Sequence, residues 1–595
     1  MSTRPSRRRL LASTAAVAGV SALAVGPAAT SEATTRRRSA ALVIHNARVW
    51  TGSRRTDIDE AIAVGRDGTV LATGPSGVVR RFAGRDTQTV DARGATVMSG
   101  FIDGHAHPTG AGSRSLNPSL HHATHTVAEL QETLRGFLSA STDQEPDGWL
   151  VVEEWNTVGL PAGTQPHHRI LDALPTRRPI ALIGGDGHNT WANQRALGLA
   201  GITARTPNPA GGEIVHDADG EPTGLLKDDA AHLVRRLIPE PDEAALLDAC
   251  AKALAGAAAR GVTTFMDARV DAARLDIYAG LARSGRLPQR IVPALWLDTD
   301  LVKDPRTALD HLRALREKYR GVPGLRFGTA KVFLDGVIEH PAQTAALLEP
   351  YLGDDGKPTG ERGDLYADSA ELGALTTVLD RAGWQLHTHA IGDRAVRTAL
   401  DGYELAMRTE GGRRGSRHSI AHLELVHPDD YARFARLGVV ACMQLQWAVR
   451  NEWTMRSLLP YIGADRHRRL YPARSLQRHG ATLSGGSDWP VDPLSPLNQI
   501  RTAVDRHGEA GEDSLHPELE SISRTASLRM HTAASSYQLR LEHLTGTLTP
   551  GKAADLVLLD RDITRGPVKE ISEAKVRLTL AAGTPVHDAD AGTAT

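Results

Sequence analysis

Gly100-Phe101-Ile102-Asp103-Gly104-His105-Ala106-His107-Pro108 reads as a short buried strand that ends in two imidazoles. Side chains two apart on a strand share a face, so His105 and His107 can aim at one point. Alone the pair says little. With 25 histidines in 595 residues, roughly one His-x-His pair arises by chance, and His387-Thr388-His389 is another instance. Its weight comes from its place in a longer pattern of strands and polar strand ends.

Seven more apolar runs come after it, at residues 262–267, 291–297, 326–333, 384–389, 419–423, 439–443 and 481–485. Helical patterns separate them, for example at 244–260, 369–382, 394–407 and 429–437. Strands that alternate with helices predict a parallel sheet, and eight such units predict an α/β fold closed as a (β/α)8 TIM barrel. Lys331 lies near the end of the fourth run, His389 ends the fifth, His422 lies near the end of the sixth, and Asp488 follows the eighth. Active sites of such barrels lie at the C-terminal ends of the strands. Four imidazoles and a carboxylate gathered there make a nitrogen and oxygen site suited to zinc or a similar divalent ion, one or two per chain.

Lys331 stands out because an unpaired ammonium inside a barrel strand is costly. Two solutions are open. One is a salt bridge, with Asp335 four residues on as the candidate; the other is N-carboxylation of Lys331 by carbon dioxide, giving a carbamate that bridges two metals.

Outside the barrel, residues 41–98 and 540–590 carry short strand-like runs punctuated by Gly and Asp, as in Gly65-Arg66-Asp67-Gly68. A few strands at either end do not make a stable sheet alone. They predict one small β-sandwich domain built from both chain ends around a barrel at 99–539. About 150 residues separate the first and second barrel strands, too many for a normal connection. A large inserted subdomain at about 109–256 is expected, placed over the active-site face as a lid or substrate wall.

Residues 1–33 read as a twin-arginine signal peptide: Ser6-Arg7-Arg8-Arg9-Leu10-Leu11, an apolar run to Val25, then small residues to Ala33. That run falls short of the ~20 apolar residues that span a bilayer. No cysteine follows it closely, which excludes a lipid anchor. The expected partner is the twin-arginine export machinery, and the expected product is a secreted, soluble protein with no stable membrane anchor.

Lys and Arg (69) nearly cancel Asp and Glu (70), so no net field favours nucleic acid. The only cysteines are Cys250 and Cys442. Without a Cys-x-x-Cys, a zinc knuckle and an iron–sulfur site are unsupported, and the pairing of the two is left open. Phosphate-loop, Gly-x-Ser-x-Gly and His-Glu-x-x-His motifs are lacking. The remaining expectation is a small-molecule substrate, with a homodimer compatible.

Beyond these residues the sequence carries Asp186-Gly187-His188-Asn189, Asp219-Gly220-Glu221-Pro222-Thr223-Gly224 and Lys331-Val332-Phe333-Leu334-Asp335-Gly336. It continues with His389-Ala390-Ile391-Gly392-Asp393-Arg394-Ala395, Ser487-Asp488-Trp489-Pro490 and Gly546-Thr547-Leu548-Thr549-Pro550-Gly551-Lys552. Over roughly residues 40–590 the chain resembles the amidohydrolase superfamily, in particular the YtcJ-like branch of amidohydrolase family 3 that includes N-substituted formamide deformylases. Ser99-Gly100 departs from the branch's usual Pro-Gly, and residues 337–344 differ in a loop expected to face substrate.

The resemblance implies that His105, His107 and Asp488 hold one ion, that His389 and His422 hold a second, and that carboxylated Lys331 bridges them. It implies Asp488 as the catalytic base and then acid, and hydrolysis of a C–N bond other than a peptide bond in a small amide, N-formyl amine or carbamate. Deamination, ester or lactone hydrolysis, and a catalytically inactive binding protein are the competing readings. His188 and Trp191 from the insertion, and Trp489 beside Asp488, are candidate substrate contacts.

Overall fold

The computed structural model describes residues 39–591, apart from 54–57, 141–147, 162, 186, 210, 410–414, 509 and 510. The export leader read over 1–33 lies outside the described residues. Eight parallel strands run in order: β1 Phe101–Ala106, β2 Val262–Val270, β3 Arg290–Trp296, β4 Thr329–Phe333, β5 Gln385–Ala390, β6 Ser419–His422, β7 Val440–Met443 and β8 Thr482–Gly485. Each pairs in parallel with the next. Every residue of β1, β5, β6 and β7 is buried, as expected where both faces of a parallel sheet are covered.

The eight-stranded barrel predicted from sequence is present, and its last seam is closed by side chains and loop backbone. Beyond β8, the Asp488 N–H donates to the His105 carbonyl at 2.8 Å and the His107 N–H donates to the Trp489 carbonyl at 2.7 Å. Asp103 ties the seam from inside by accepting from the His105 and Ser487 N–H groups at 3.1 and 3.0 Å. Gly104 permits this approach: a Cβ there would lie 2.9 Å from the Gly485 carbonyl oxygen and 2.5 Å from Gln538 Oε1. Ile102, Met266, Val292 and Ala294 pack with Leu539 and Leu541, so the segment before the last β-strands plugs the barrel.

The covering helices have ordinary local causes. Ser369–Arg381 begins with a capping box between Asp368 and Glu371. Asp393–Arg408 buries Val396, Ala399, Leu400 and Tyr403 as one stripe.

Two further sheets flank the barrel. One contains Ala40–His45, Ala61–Gly65, Val70–Gly74 and Gln88–Asp91; the other joins Arg48–Trp50 and Thr96–Ser99 to Leu556–Leu559, Val576–Ala581 and Thr584–Asp588. Their buried faces share a core that includes Ile44, Ile62, Val97, Leu556 and Leu580. Between β1 and β2, Leu150–Trp155, Ile180–Gly184, Asn189–Ala192, Gly212–His216 and Pro222–Asp228 form a five-stranded sheet. The helix Glu243–Ala259, which the expected 109–256 boundary placed mostly in the insertion, packs on the barrel through Cys250, Leu254 and Ala257. Cys250 and Cys442 are both buried and free. No helix among the described residues is long and apolar enough to cross a membrane.

Candidate metal centre

His105, His107, Lys331, His389, His422 and Asp488 all line one cavity of about 1880 Å³. They reach it from the C-terminal ends of β1, β4, β5 and β6 and from the turn after β8. His107 Nε2 lies 3.0 Å from Asp488 Oδ1, and His105 Nε2 lies 3.3 Å from the same oxygen. Ligand atoms of these three residues all fall within 4.8 Å of one another. His422 Nδ1 is 4.0 Å from Asp488 Oδ2. The His422 ring centre is 4.7 Å from that of His105 and 4.4 Å from that of His389. His389 Nε2 is occupied by the Gly336 carbonyl at 3.0 Å, which leaves its Nδ1 as the free ligand atom.

Three buried atoms here, Lys331 Nζ, His422 Nδ1 and Asp488 Oδ1, lack an aligned hydrogen-bond partner. Orphaned buried polar atoms are rare and call for an occupant. Burial holds His105, His389 and His422 well below the usual histidine range, so they are neutral imidazoles, the form that binds metal. Burial works to raise Asp488, but His107, His422 and Lys331 outweigh it and keep the carboxylate below its ordinary range. The donor set fits a divalent cation, with nitrogen and carboxylate ligands suited to zinc. His422 and Asp488 both adopt positive φ, 77° and 56°, a cost of the kind that concentrates at functional sites.

Lys331 is fully buried and burial lowers it to about 7. Asp335 is not its partner: that carboxylate accepts the backbone N–H groups of Ala346, Ile391 and Gly392 at 2.9–3.1 Å. The lysine's described neighbour is the Phe333 ring, 4.6 Å from Nζ.

His188, from the insertion, reaches the cavity, with Nδ1 2.6 Å from Asp228 Oδ1 and its ring 6.0 Å from that of His389. The two tryptophans do not line it. Trp191 is fully buried in the insertion core, 5.2 Å from Trp155. Asn189–Ala192 is covered on both faces, so a large side chain there fills the subdomain core. Trp489 stacks on Phe265 at 6.2 Å against the barrel's outer core. For Trp191 the expected substrate contact is corrected to a packing role; Trp489 is half-buried between Asp488 and Pro490, which do line the cavity. Asp186 lies outside the described residues.

One participant is not evident from the sequence pattern. His387, part of the His-x-His pair attributed to chance, places Nε2 2.7 Å from His105 Nδ1, while its own Nδ1 lies 2.7 Å from Ser419 Oγ. This fixes the ring of a candidate ligand from behind, as second partners of ligating histidines do. The available signal was strand parity: His387 and His389 point to the same face.

A family model described as the amidohydrolase family matches residues 88–587. The putative amidohydrolase YtcJ of Bacillus subtilis (strain 168) is 27% identical, covering 91% of this chain and 99% of that one. The N-substituted formamide deformylase of Arthrobacter pascens is 28% identical over 91% of this chain and 97% of its own. Among solved structures, an uncharacterized metal-dependent hydrolase from Pyrococcus furiosus superposes with a TM-score of 0.66 at 24% identity, covering 88% of this chain and all of that one. A match across 500 residues, on a barrel whose strand ends carry the candidate ligands, places this chain in the amidohydrolase family.

Proposed function

We propose that the protein is a metal-dependent hydrolase that cleaves the C–N bond of a small amide, N-formyl amine or carbamate. The observation that carries this reading is the carboxylate of Asp488, held between His105 and His107 at the floor of an open cavity beside the partnerless amine of Lys331. His105, His107 and Asp488 would hold one ion and His389 and His422 another, with Lys331, as its carbamate, as a further ligand. Bound there, divalent metal supplies Lewis-acid activation of water and of the scissile carbonyl.

The chain's own groups handle the proton and the substrate. Asp488 Oδ1 faces His105 and His107, and this carboxylate takes the proton of the attacking water. As the C–N bond breaks, Asp488 returns that proton to the departing nitrogen, so one carboxylate serves as base and then acid. His188, oriented by Asp228, is positioned to contact the substrate from above His389. Similarity to an N-substituted formamide deformylase supports the C–N assignment.

Incubating metal-loaded protein with N-formyl and N-acyl amines tests this. Release of acid and amine is expected; ammonia as sole product, or turnover of esters alone, contradicts it. We further propose export by the twin-arginine route, on the strength of Ser6-Arg7-Arg8-Arg9-Leu10-Leu11. Replacing Arg7 and Arg8 by Lys should retain the protein in the cytoplasm, and unaltered secretion would refute the assignment.

A further inference from the structure

Four arginines line the cavity, Arg114, Arg235, Arg269 and Arg274, and three are already engaged. Arg114 lies 3.7 Å from Glu153 and donates to the Pro490 carbonyl at 3.3 Å. Arg235 donates to the Thr190 hydroxyl and to the carbonyls of Gly187 and Asn189 at 2.7–2.8 Å. Arg274 pairs with Asp271 at 2.5 Å.

Arg269, at the C-terminal end of β2, differs. Its guanidinium carbon lies 4.2 Å from the Trp296 ring centre and 5.7 Å from that of Phe333. Among the described residues, no group accepts a hydrogen bond from that guanidinium. Stacking satisfies the faces of the planar cation and leaves its N–H edges open. The acids that face it do not fill the gap: Asp271 is held by Arg274, and Asp229 forms no ion pair with it. Burial lowers Arg269 to about 10, so it is charged at neutral pH. A part-buried cation whose nearby acids, Asp271 and Asp229, act on it only at a distance is poorly compensated in the free protein, and an incoming anion that hydrogen-bonds to it relieves the cost.

Its place relative to the chemistry is set by one ring. Phe333, which Arg269 stacks on, also lies 4.6 Å from Lys331 Nζ and 4.7 Å from the His389 ring. Arg269 is therefore one aromatic side chain away from the candidate ligands. We infer that Arg269 binds a carboxylate on the substrate, which narrows the substrate class to amides that carry a free carboxylate, such as N-formyl or N-acyl amino acids. The guanidinium fork matches a carboxylate with two parallel hydrogen bonds. This inference rests on the hydrolase reading above.

The test compares N-formyl-leucine with its methylamide on the metal-loaded wild type, Arg269→Ala and Arg269→Lys, following formate release. The ratio of kcat/KM for the acid over the methylamide should fall about 10- to 100-fold in Arg269→Ala, with Arg269→Lys between. Circular dichroism confirms folding. An unchanged ratio overturns the inference while leaving the hydrolase reading standing. Calorimetric binding of the same two compounds is the second arm and does not depend on turnover. Wild type should bind the acid more tightly than the methylamide, and Arg269→Ala should lose that preference. No preference in the wild type overturns the assignment. If that preference is present and neither compound is hydrolysed, the failure belongs to the C–N hydrolase reading.

Discussion

Nε2 of His107 lies 3.0 Å from Oδ1 of Asp488, across the seam where the first and last strands of the barrel meet. The contact joins residues 381 positions apart in sequence, and it depends on two backbone hydrogen bonds that bring the loop after β8 onto β1. Replacing Asp488 by Asn removes the proposed proton acceptor without changing shape. Turnover should fall about 10³-fold or more, within the range for loss of general acid–base catalysis, while circular dichroism and thermal unfolding stay near wild type. Undiminished turnover would remove Asp488 from the chemistry.

His387 contacts the candidate ligand His105 at 2.7 Å. Replacing His387 by Ala should weaken metal affinity about 10- to 100-fold, the usual cost of losing a residue that orients a ligating histidine. Competition with a chromogenic chelator measures this. The neighbouring partner gives a control, since Ser419→Ala should produce a smaller shift in the same direction. Unchanged affinity in His387→Ala would reduce the 2.7 Å contact to packing.

Lys331 makes an opposed pair of predictions. Its amine is buried without a hydrogen-bond partner, so Lys331→Met should stabilise the metal-free protein by about 1–3 kcal/mol in urea unfolding. The same change should reduce metal loading. In wild-type protein loaded with metal and ¹³C-bicarbonate, a carbamate carbon signal is expected by NMR and should be absent from Lys331→Met. A metal-loaded wild type without that signal would refute the carbamate.

His531 is fully enclosed near β8, where a Cβ on Gly485 would meet its ring at 2.3 Å. Burial lowers it from 6.5 to about 4. Because the folded value is depressed, the stability it permits is complete above pH 6.5 and is lost as pH falls through about 4. The loss is on the order of 3 kcal/mol. Unfolding free energy measured from pH 7 to pH 4 should fall less steeply in His531→Gln than in wild type, and equal slopes would contradict this.

The barrel was legible because buried parallel strands read as short apolar runs, and because their C-terminal ends carry His105, His107, Lys331, His389, His422 and Asp488. Closure of the seam was not, since it uses loop backbone and the side chain of Asp103 rather than a strand pattern. Trp191 misled because its strand is covered on both faces, so sequence cannot tell core from cavity. The helix Glu243–Ala259 falls in the insertion by its place in the chain, yet its buried side chains pack on the barrel. His387 and Arg269 stayed hidden for one reason: their roles are set by partners, or the lack of them, on other strands. His387 meets a side chain 282 positions away. Export and the domain limits at the chain's start rest on sequence alone.

Elemental analysis of protein purified without chelator, with His107→Ala alongside, bears most directly on the metal centre. The wild type should carry one or two equivalents of zinc or a similar divalent ion per chain, and the variant should lose at least one while remaining folded. A folded wild type that hydrolyses its substrate with no bound metal, or a variant that keeps the full complement, would contradict the assignment of these residues as ligands.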